Sequence, residues 1–256
     1  MTDTSNQRYE EHLSIPAADS RAVDVASVIR SGDVERLRLL LSESPSMAAA
    51  RIVDGCGTSR TLLHVVADWP GHFSNGAETV TALVAAGADV NAAVIHANPD
   101  GAPETALHWA ASSDDLAVLD ALVDGGADLE APGAVFTGGT PMSDAVVFAQ
   151  WHAARRLLER GARTTVWQAA ALGLLDRVTA FCEDSPLWSD EITNAFWNAC
   201  RGGQQETAAY LFDRGAGLNW IGHDGKTPLE VARESGDKDL VEWLSSQGAK
   251  TAEELP

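Results

Sequence analysis

The 256-residue sequence is poor in basic residues and in cysteine, and it has no long apolar run. Lysine and arginine number 18 against 37 aspartates and glutamates, so the formal net charge is −19. Such a charge repels phosphate backbones and anionic lipid surfaces, and no cluster of lysine and arginine offsets it locally. No segment is apolar enough over its length to cross a bilayer. We therefore expect neither a nucleic-acid partner nor a membrane partner.

The three cysteines, Cys56, Cys182 and Cys200, lie far apart and in no metal-ligand spacing. Their odd number predicts free thiols, as is usual in a reducing cytoplasm. Residues 1–20 are polar and acidic, without the positively charged start and apolar core of a secretory signal. We therefore expect a cytoplasmic protein with a polar N-terminal tail over residues 1–20 that is loose or forms a short cap.

The stretch Thr105–Ala131 has the pattern of a helix–turn–helix unit. Apolar residues follow Thr105 over two turns, a polar break occupies residues 112–115, and a second apolar series runs at three- and four-residue spacing to Gly125–Gly126. Glycine there can adopt the left-handed conformation that ends a helix. Two such short helices cannot bury their apolar faces alone, so copies of the unit are needed beside it.

Copies of this unit occur along the chain. The threonine-led openings and the glycine–alanine closings recur at Thr61–His64, Gly87–Ala92, Thr140–Met142, Gly161–Ala162, Gly215–Asn219, Thr227–Leu229 and Gly248–Ala249. The Thr-x-Leu-His opening and the Gly-Ala-Asp closing resemble the ankyrin repeat, whose period is about 33 residues. The resemblance implies an all-α, ankyrin-type solenoid of about seven helix–turn–helix repeats with β-hairpin or loop connections. It covers residues 21–250 as one domain and leaves residues 251–256 as a frayed C-terminal tail.

Three connections are longer than a plain repeat requires. Residues 68–76 interrupt the second repeat with an aromatic-rich insertion, residues 92–104 predict a β-hairpin finger with a turn at Pro99–Gly101, and residues 132–139 extend the next connection. Insertions of this kind map to loops on one face of a solenoid, often the binding face. Their clustering indicates a functional surface in repeats two to four.

The resemblance also implies a concave groove lined by the positions that follow the inner-helix alanines. The candidate binding residues in this groove and its loops are Asp68, Trp69, His72, Phe73, Trp109, Ser112, Ser113, Asp114, Asp115, Phe148 and Leu172. An apolar centre with a polar rim is the anatomy of a binding surface. Two other interpretations stay open: Trp69 and Phe73 fold back as a small core under their loop, and Trp109 serves ordinary packing between repeats.

The histidines divide into two groups. The resemblance implies that His64 and His108, the fourth residues of their openings, bond neighbouring hairpins together and are structural. His72 lies close to Asp68 in the sequence, and stacking of the next turn would bring Asp114 and Asp115 near it. One imidazole among carboxylates suits acid–base chemistry or a hard metal ion, although solvated acidic turns are the more usual outcome.

The function that the sequence favours is a non-catalytic protein-binding module acting through the groove and long loops of repeats two to four. Trp69 and Phe148 would be its apolar anchors, and a rim of aspartates would attract a basic segment of another protein. The alternative is a small-molecule-binding protein or enzyme with a pocket under the Trp69–Gly76 loop. Its acid–base and pocket residues would be Asp68, His72, Trp109, Asp114 and Asp144. Because no phosphate loop, nucleophile elbow or metal-ligand motif is present, we expect no cofactor and no metal.

Overall fold

The computed structural model describes residues 13–184 and 187–255, and it divides into two compact units that meet in sequence at Ala145 and Val146. Helices come in short pairs, as the repeat pattern predicts. In the first part of the chain they are α1 Ser20–Ser31, α2 Val34–Glu43, α3 Leu62–Ala67, α4 Gly76–Ala85, α5 Ala106–Ser112, α6 Leu116–Asp124 and α7 Pro141–Val147. They continue as α8 Trp151–Glu159, α9 Val166–Ala171, α10 Leu175–Asp184, α11 Ser189–Arg201, α12 Gln205–Phe212, α13 Pro228–Ser235 and α14 Lys238–Ser246. The predicted all-α fold is confirmed.

Within the first unit, inner helices pack on inner helices and outer helices on outer helices. Helix α3 contacts both α1 and α5, and α4 contacts both α2 and α6. The core between these layers is aliphatic, with Leu62, Leu83, Leu107 and Leu119 fully buried. Each helix pair therefore buries its apolar face only because the neighbouring pairs cover it.

The openings of α3 and α5 use histidine as predicted. The N–H of Thr61 donates to Nδ1 of His64 at 3.3 Å, and the N–H of Thr105 donates to Nδ1 of His108 at 3.1 Å. Nε2 therefore carries the proton in both rings, and it donates to the carbonyl of Glu104 at 3.0 Å and to that of Gly139 at 3.4 Å, respectively. Burial lowers the pKa of both imidazoles to about 4, so they are neutral links between repeats.

The connections between repeats form the predicted fingers. Residues 92–104 fold as a hairpin in which the N–H of Val94 donates to the carbonyl of Glu104 at 2.8 Å. Its turn is closed by the N–H of Gly101, which donates to the carbonyl of Asn98 at 3.1 Å. Residues 132–139 close on themselves, because the N–H of Gly133 donates to the carbonyl of Gly139 at 2.8 Å.

The two ends of the described chain are more ordered than expected. Strand β1, Ser14–Pro16, pairs in parallel with β2, Arg51–Val53, which pairs antiparallel with β3, Ser59–Thr61. Residues 14–20 are therefore ordered rather than loose, and the expected short cap stays a prediction, whereas residues 1–12 lie outside the described residues. At the other end, Ala252–Glu254 form a 3-10 turn instead of fraying. The N–H of Ala252 donates to the Glu230 carboxylate at 3.1 Å.

The second unit has its own core around α11, which contacts α9, α12 and α13. Phe196 is fully buried there, and the indole N–H of Trp197 donates to the carbonyl of Lys226 at 2.9 Å. The guanidinium of Arg201 donates to the carbonyls of Val146 and Val147 at 2.8 and 2.7 Å. These bonds satisfy the carboxyl end of α7, whose last carbonyls have no partner within the helix.

Candidate binding surface

The insertion after α3, residues 68–75, is here called the repeat-two loop. It begins with a turn in which the N–H of Gly71 donates to the carbonyl of Asp68 at 2.8 Å. One carboxylate oxygen of Asp68 accepts hydrogen bonds from Arg30 at 3.0 Å and from Arg60 at 3.2 Å. Two guanidinium groups thus offset the charge of Asp68, which weakens its predicted contribution to a negative rim.

The far side of the repeat-two loop is fixed to the turn between α5 and α6. The backbone N–H of His72 donates to one oxygen of Asp115 at 2.6 Å, and His72 Nε2 lies 3.0 Å from the carbonyl oxygen of Ser113. The other oxygen of Asp115 caps α6 by accepting from the N–H of Val118 at 3.1 Å. Gly71 has φ +73, and a Cβ on it would lie 3.0 Å from the hydroxyl oxygen of Ser113.

These bonds correct the expected chemistry of His72. Stacking of the turns does bring His72 to a carboxylate, but its backbone rather than its imidazole makes the contact with Asp115. The imidazole contacts a backbone carbonyl, which cannot exchange a proton with it. His72 and Asp115 therefore hold the repeat-two loop against the next repeat, and the geometry does not support an acid–base pair between them.

The aromatic residues of the repeat-two loop differ in exposure. The side chain of Trp69 is 83% exposed, whereas Phe73 is half-buried. The interpretation in which both residues form a small core under the loop is therefore wrong for Trp69. Asn75 fixes the end of the loop, because its side-chain amide donates to the carbonyl of Gly32 in the first repeat at 2.9 Å.

The remaining groove positions are less accessible than expected. Ser112 and Ser113 are half-buried, and their hydroxyls donate to the carbonyl of Trp109 at 3.0 and 2.9 Å, within their own helix end. In the second unit Phe148 is exposed, but Leu172 is only 3% exposed. Leu172 belongs to the core, so its predicted role as a surface contact is wrong.

The space near the repeat-two loop is open rather than enclosed. A depression of about 420 Å³ lies between the first two repeats and is lined by Gly32, Asp33, Val34, Glu35, Arg38, Asn75 and Glu78. It does not include Asp68, His72, Trp109 or Asp144, the residues of the alternative pocket. An open surface beside a fixed loop is the shape expected for contact with a macromolecule rather than for enclosure of a small ligand.

Two acidic residues from neighbouring repeats meet under the fingers, and we call Glu104 and Asp144 the acidic pair. Asp144 is only 1% exposed, and neither of its carboxylate oxygens has a hydrogen bond of ordinary geometry. Its carboxyl lies against that of Glu104, which the indole of Trp109 also approaches. Two carboxylates are both acceptors, so a bond between them requires a proton.

Burial and the proximity of Glu104 raise the pKa of Asp144 to about 7. Burial also raises the pKa of Glu104, although the indole of Trp109 and the nearby His96 act against that rise. The pair therefore holds a proton over the pH range in which an ordinary aspartate has lost it.

The sequence prediction included Trp109 and Asp144 but missed Glu104. Asp144 takes the helix position that Trp109 occupies one repeat earlier, four residues after the threonine of each opening. A signal for its partner is present in the sequence: no lysine or arginine occurs between Arg60 and Arg155. A buried carboxylate in that segment has no nearby basic residue in the sequence, so a second acid with a shared proton is a natural partner.

Neither a metal-binding cluster nor a membrane-spanning helix is found among the described residues. Over residues 13–184 and 187–255, no three histidine, cysteine, aspartate or glutamate side chains come together in a way that could hold a metal ion. In the same ranges, no helix is both long and apolar enough to cross a membrane.

Comparisons with known proteins agree with this architecture. A family model described as ankyrin repeats in three copies matches residues 166–254, and a single ankyrin repeat model matches residues 103–131. No curated protein matches the sequence. Among solved structures, the ankyrin repeat domain of human ASB11 is similar, with a TM-score of 0.50 and 19% identity over 86% of this chain and 96% of that one. The chain therefore contains ankyrin repeats and has the fold of an ankyrin repeat domain.

Proposed function

We propose that this protein is a non-catalytic binding module that recognises another protein through the loops of repeats two to four, with Trp69 as the main apolar anchor. Ankyrin repeats generally act as protein-interaction modules, which supports the broad assignment. The single observation that carries the choice of surface is the 83% exposure of Trp69 on a loop fixed at both ends.

The fixed loop favours binding for an energetic reason. A tryptophan exposes about 150–250 Å² of mostly apolar surface, and its burial by a partner is favourable at about 25 cal/mol per Å². Much of that gain is usually lost to ordering of the binding surface. Bonds from Asp68 to Arg30 and from His72 to Asp115 have already ordered the residues on either side of Trp69. The indole is thus presented in one place before a partner arrives.

The charge of the same repeats favours a basic partner. The segment between Arg60 and Arg155 contains acidic residues but no lysine or arginine, and Asp89, Asp100, Asp124 and Asp128 are exposed within it. Such a field steers a basic protein toward the surface and repels nucleic acids. We propose that the module acts in the cytoplasm, which suits the free thiol of the exposed Cys56.

The small-molecule or enzymatic alternative has less support. It requires Asp68 and His72 as free groups under the repeat-two loop, but Asp68 is paired with two arginines and His72 is bonded to the next repeat. Asp144, the other acid of that proposal, lies instead against Glu104.

The chain offers a matched control for the test of the anchor, because Trp188 is 80% exposed in the second unit. Full-length wild type, Trp69→Ala and Trp188→Ala would be immobilised and used to capture proteins from a lysate of the source organism. We expect Trp69→Ala to lose partner binding by at least about 30-fold, the value that a hot-spot tryptophan of about 2 kcal/mol implies. Trp188→Ala should bind as the wild type does.

Equal capture by the Trp69→Ala and Trp188→Ala variants, both shown to be folded by circular dichroism, would exclude Trp69 as the anchor. Capture of a small molecule and no protein in a Trp69-dependent way would favour the alternative function instead.

A further inference from the structure

The acidic pair, Glu104 and Asp144, lacks the cation that two neighbouring carboxyls normally have. Burying an acid without a cation is costly, and buried acids in proteins are usually paired. Among the described residues, none of the groups that shift the pKa of either carboxyl is a lysine or an arginine. His96, which lowers the pKa of Glu104, has its Nε2 2.9 Å from the carbonyl oxygen of Ala102.

The segment between Arg60 and Arg155, in which the acidic pair lies, contains no lysine or arginine that could supply the missing cation. This distinguishes the pair from Asp68, which lies in the same repeats but accepts from Arg30 and Arg60. Asp68 therefore has basic partners within its own chain, whereas the acidic pair has no lysine or arginine partner among the described residues.

The acidic pair is accessible from one side. Asp144 lies inside, but Glu104 and Trp109 are only half-buried. The loop of residues 132–139 borders the site: the backbone N–H of Val135 approaches the Asp144 carboxyl, and the side chain of Val135 is exposed. A long side chain can thus reach Glu104 from solvent with apolar surface beside its stem.

The chemistry of these groups selects a cation carried on an apolar stem. Carboxylates form their strongest hydrogen bonds with guanidinium and ammonium groups, and an indole ring beside them adds a favourable cation–π contact. The aliphatic part of an arginine or lysine side chain packs on apolar surface while its charged end reaches the acids. A free metal ion is less suitable, because the described residues contain no third ligand beside the pair.

We propose that Glu104, Asp144 and Trp109 form an acceptor site for one arginine or lysine side chain of the protein partner. This inference rests on the proposed function only in taking the ligand to be a protein. When the cation binds Glu104, the proton held between Glu104 and Asp144 leaves to solvent, and the positive charge of the cation offsets the charge of the two carboxylates. Binding is therefore stronger at a pH where the proton no longer competes.

The test uses three acetylated and amidated peptides, Gly-Leu-Arg-Leu-Gly, the same peptide with lysine, and the same peptide with citrulline, which is uncharged. The full-length protein would be labelled with nitrogen-15, and the indole N–H signal of Trp109 would be assigned by its loss in Trp109→Phe. We expect saturable shifts of this signal with the arginine or lysine peptide and none with citrulline. The apparent affinity should rise about tenfold from about pH 6 to about pH 8, since a competing proton with a pKa near that of Asp144 is lost.

Matched variants decide whether the acidic pair is responsible. Glu104→Gln and Asp144→Asn should each weaken binding by at least about tenfold, as loss of one partner of a close charge pair does. Glu43→Gln, at an exposed acid at the end of α2 and outside the segment between Arg60 and Arg155, should leave the affinity unchanged.

Shifts of equal size with citrulline, or full affinity in Glu104→Gln and Asp144→Asn, would overturn the acceptor site, as would the absence of any saturable shift. These outcomes are independent of the capture experiment. If Trp69→Ala loses the partner and no peptide binds, the anchor stands and the acceptor site fails. If the peptide binds at the pair but Trp69→Ala captures the partner fully, the acceptor site stands and Trp69 is not the anchor.

Discussion

The repeat-two loop with the turn that holds it, and the acidic pair, both contain acids of repeats two to four, but only the acids of the loop and its turn have their hydrogen bonds satisfied. Asp68 accepts from two arginines, and Asp115 accepts from two backbone N–H groups. Asp144 is more deeply buried than Asp68, and neither of its oxygens has a hydrogen-bond partner of ordinary geometry. The acids of the loop and its turn therefore stabilise the fold. The acidic pair lowers the stability of the fold, and it is for that reason the better candidate for a functional role.

The comparison is sharpened most by neutralising Asp144. Because the folded-state pKa of Asp144, about 7, lies above its ordinary value of 3.8, unfolding releases a proton between these pH values. The contribution of Asp144 to the free energy of unfolding therefore falls as pH rises from about 4 to about 7 and stays low above that. We expect Asp144→Asn to exceed the wild type in stability by about 2–4 kcal/mol at about pH 8 and by much less at about pH 4.

Urea unfolding of both proteins across this pH range measures the difference directly. The difference between the two proteins is used because His64 and His108 also change the free energy of unfolding with pH, and they do so equally in both proteins. Their folded-state pKa values are lowered, so the stability that they contribute is lost as pH falls from about 6.5 to about 4. Asp100→Asn, an exposed acid, is the control. Parallel curves for the wild type and Asp144→Asn would contradict the assignment.

A second variant tests the loop side of the comparison. Asp115→Ala removes the acceptor for the N–H groups of Val118 and His72, so both a helix cap and the clamp on the repeat-two loop are lost. We expect the free energy of unfolding to fall by about 1–3 kcal/mol at neutral pH. Asp115→Asn, which keeps one acceptor oxygen, should lose less. An unchanged unfolding midpoint for Asp115→Ala would show that the clamp contributes nothing.

The smallest effect is expected at Asp68. Its side chain and those of Arg30 and Arg60 are partly exposed, so solvent screens the ion pairs. We expect Asp68→Asn to lower the free energy of unfolding by about 1 kcal/mol or less, and the loss should shrink at high salt. A large, salt-independent loss would mean that Asp68 is as strongly coupled to the fold as Asp115.

The fold was predictable because repetition makes the same physical pattern visible several times. Threonine and histidine at the openings of α3 and α5, and glycine at the ends of α4 and α6, were enough to place the helix pairs and the fingers. The strand at Ser14–Pro16 was not predictable, because three residues carry no periodic signal and their partner is Arg51–Val53, far away in the sequence.

The candidate sites were only partly predictable. The sequence located the repeat-two loop, but sequence spacing placed the imidazole of His72 near acids when the backbone makes that contact. It could not show that Arg30 and Arg60 converge on Asp68, because that depends on the stacking of two repeats. Glu104 was missed since it precedes the repeat opening, and its proximity to Asp144 arises only when neighbouring repeats pack.

The central claim is that the acidic pair holds a proton that the acids of the repeat-two loop do not need. The most direct test is a carbon-13 titration of the Asp144 side-chain carboxyl in the full-length protein, assigned by its loss in Asp144→Asn. The structure predicts a midpoint near pH 7, and a lower midpoint when the arginine peptide is present. A midpoint near the ordinary aspartate value of about 4, unaffected by the peptide, would contradict the account.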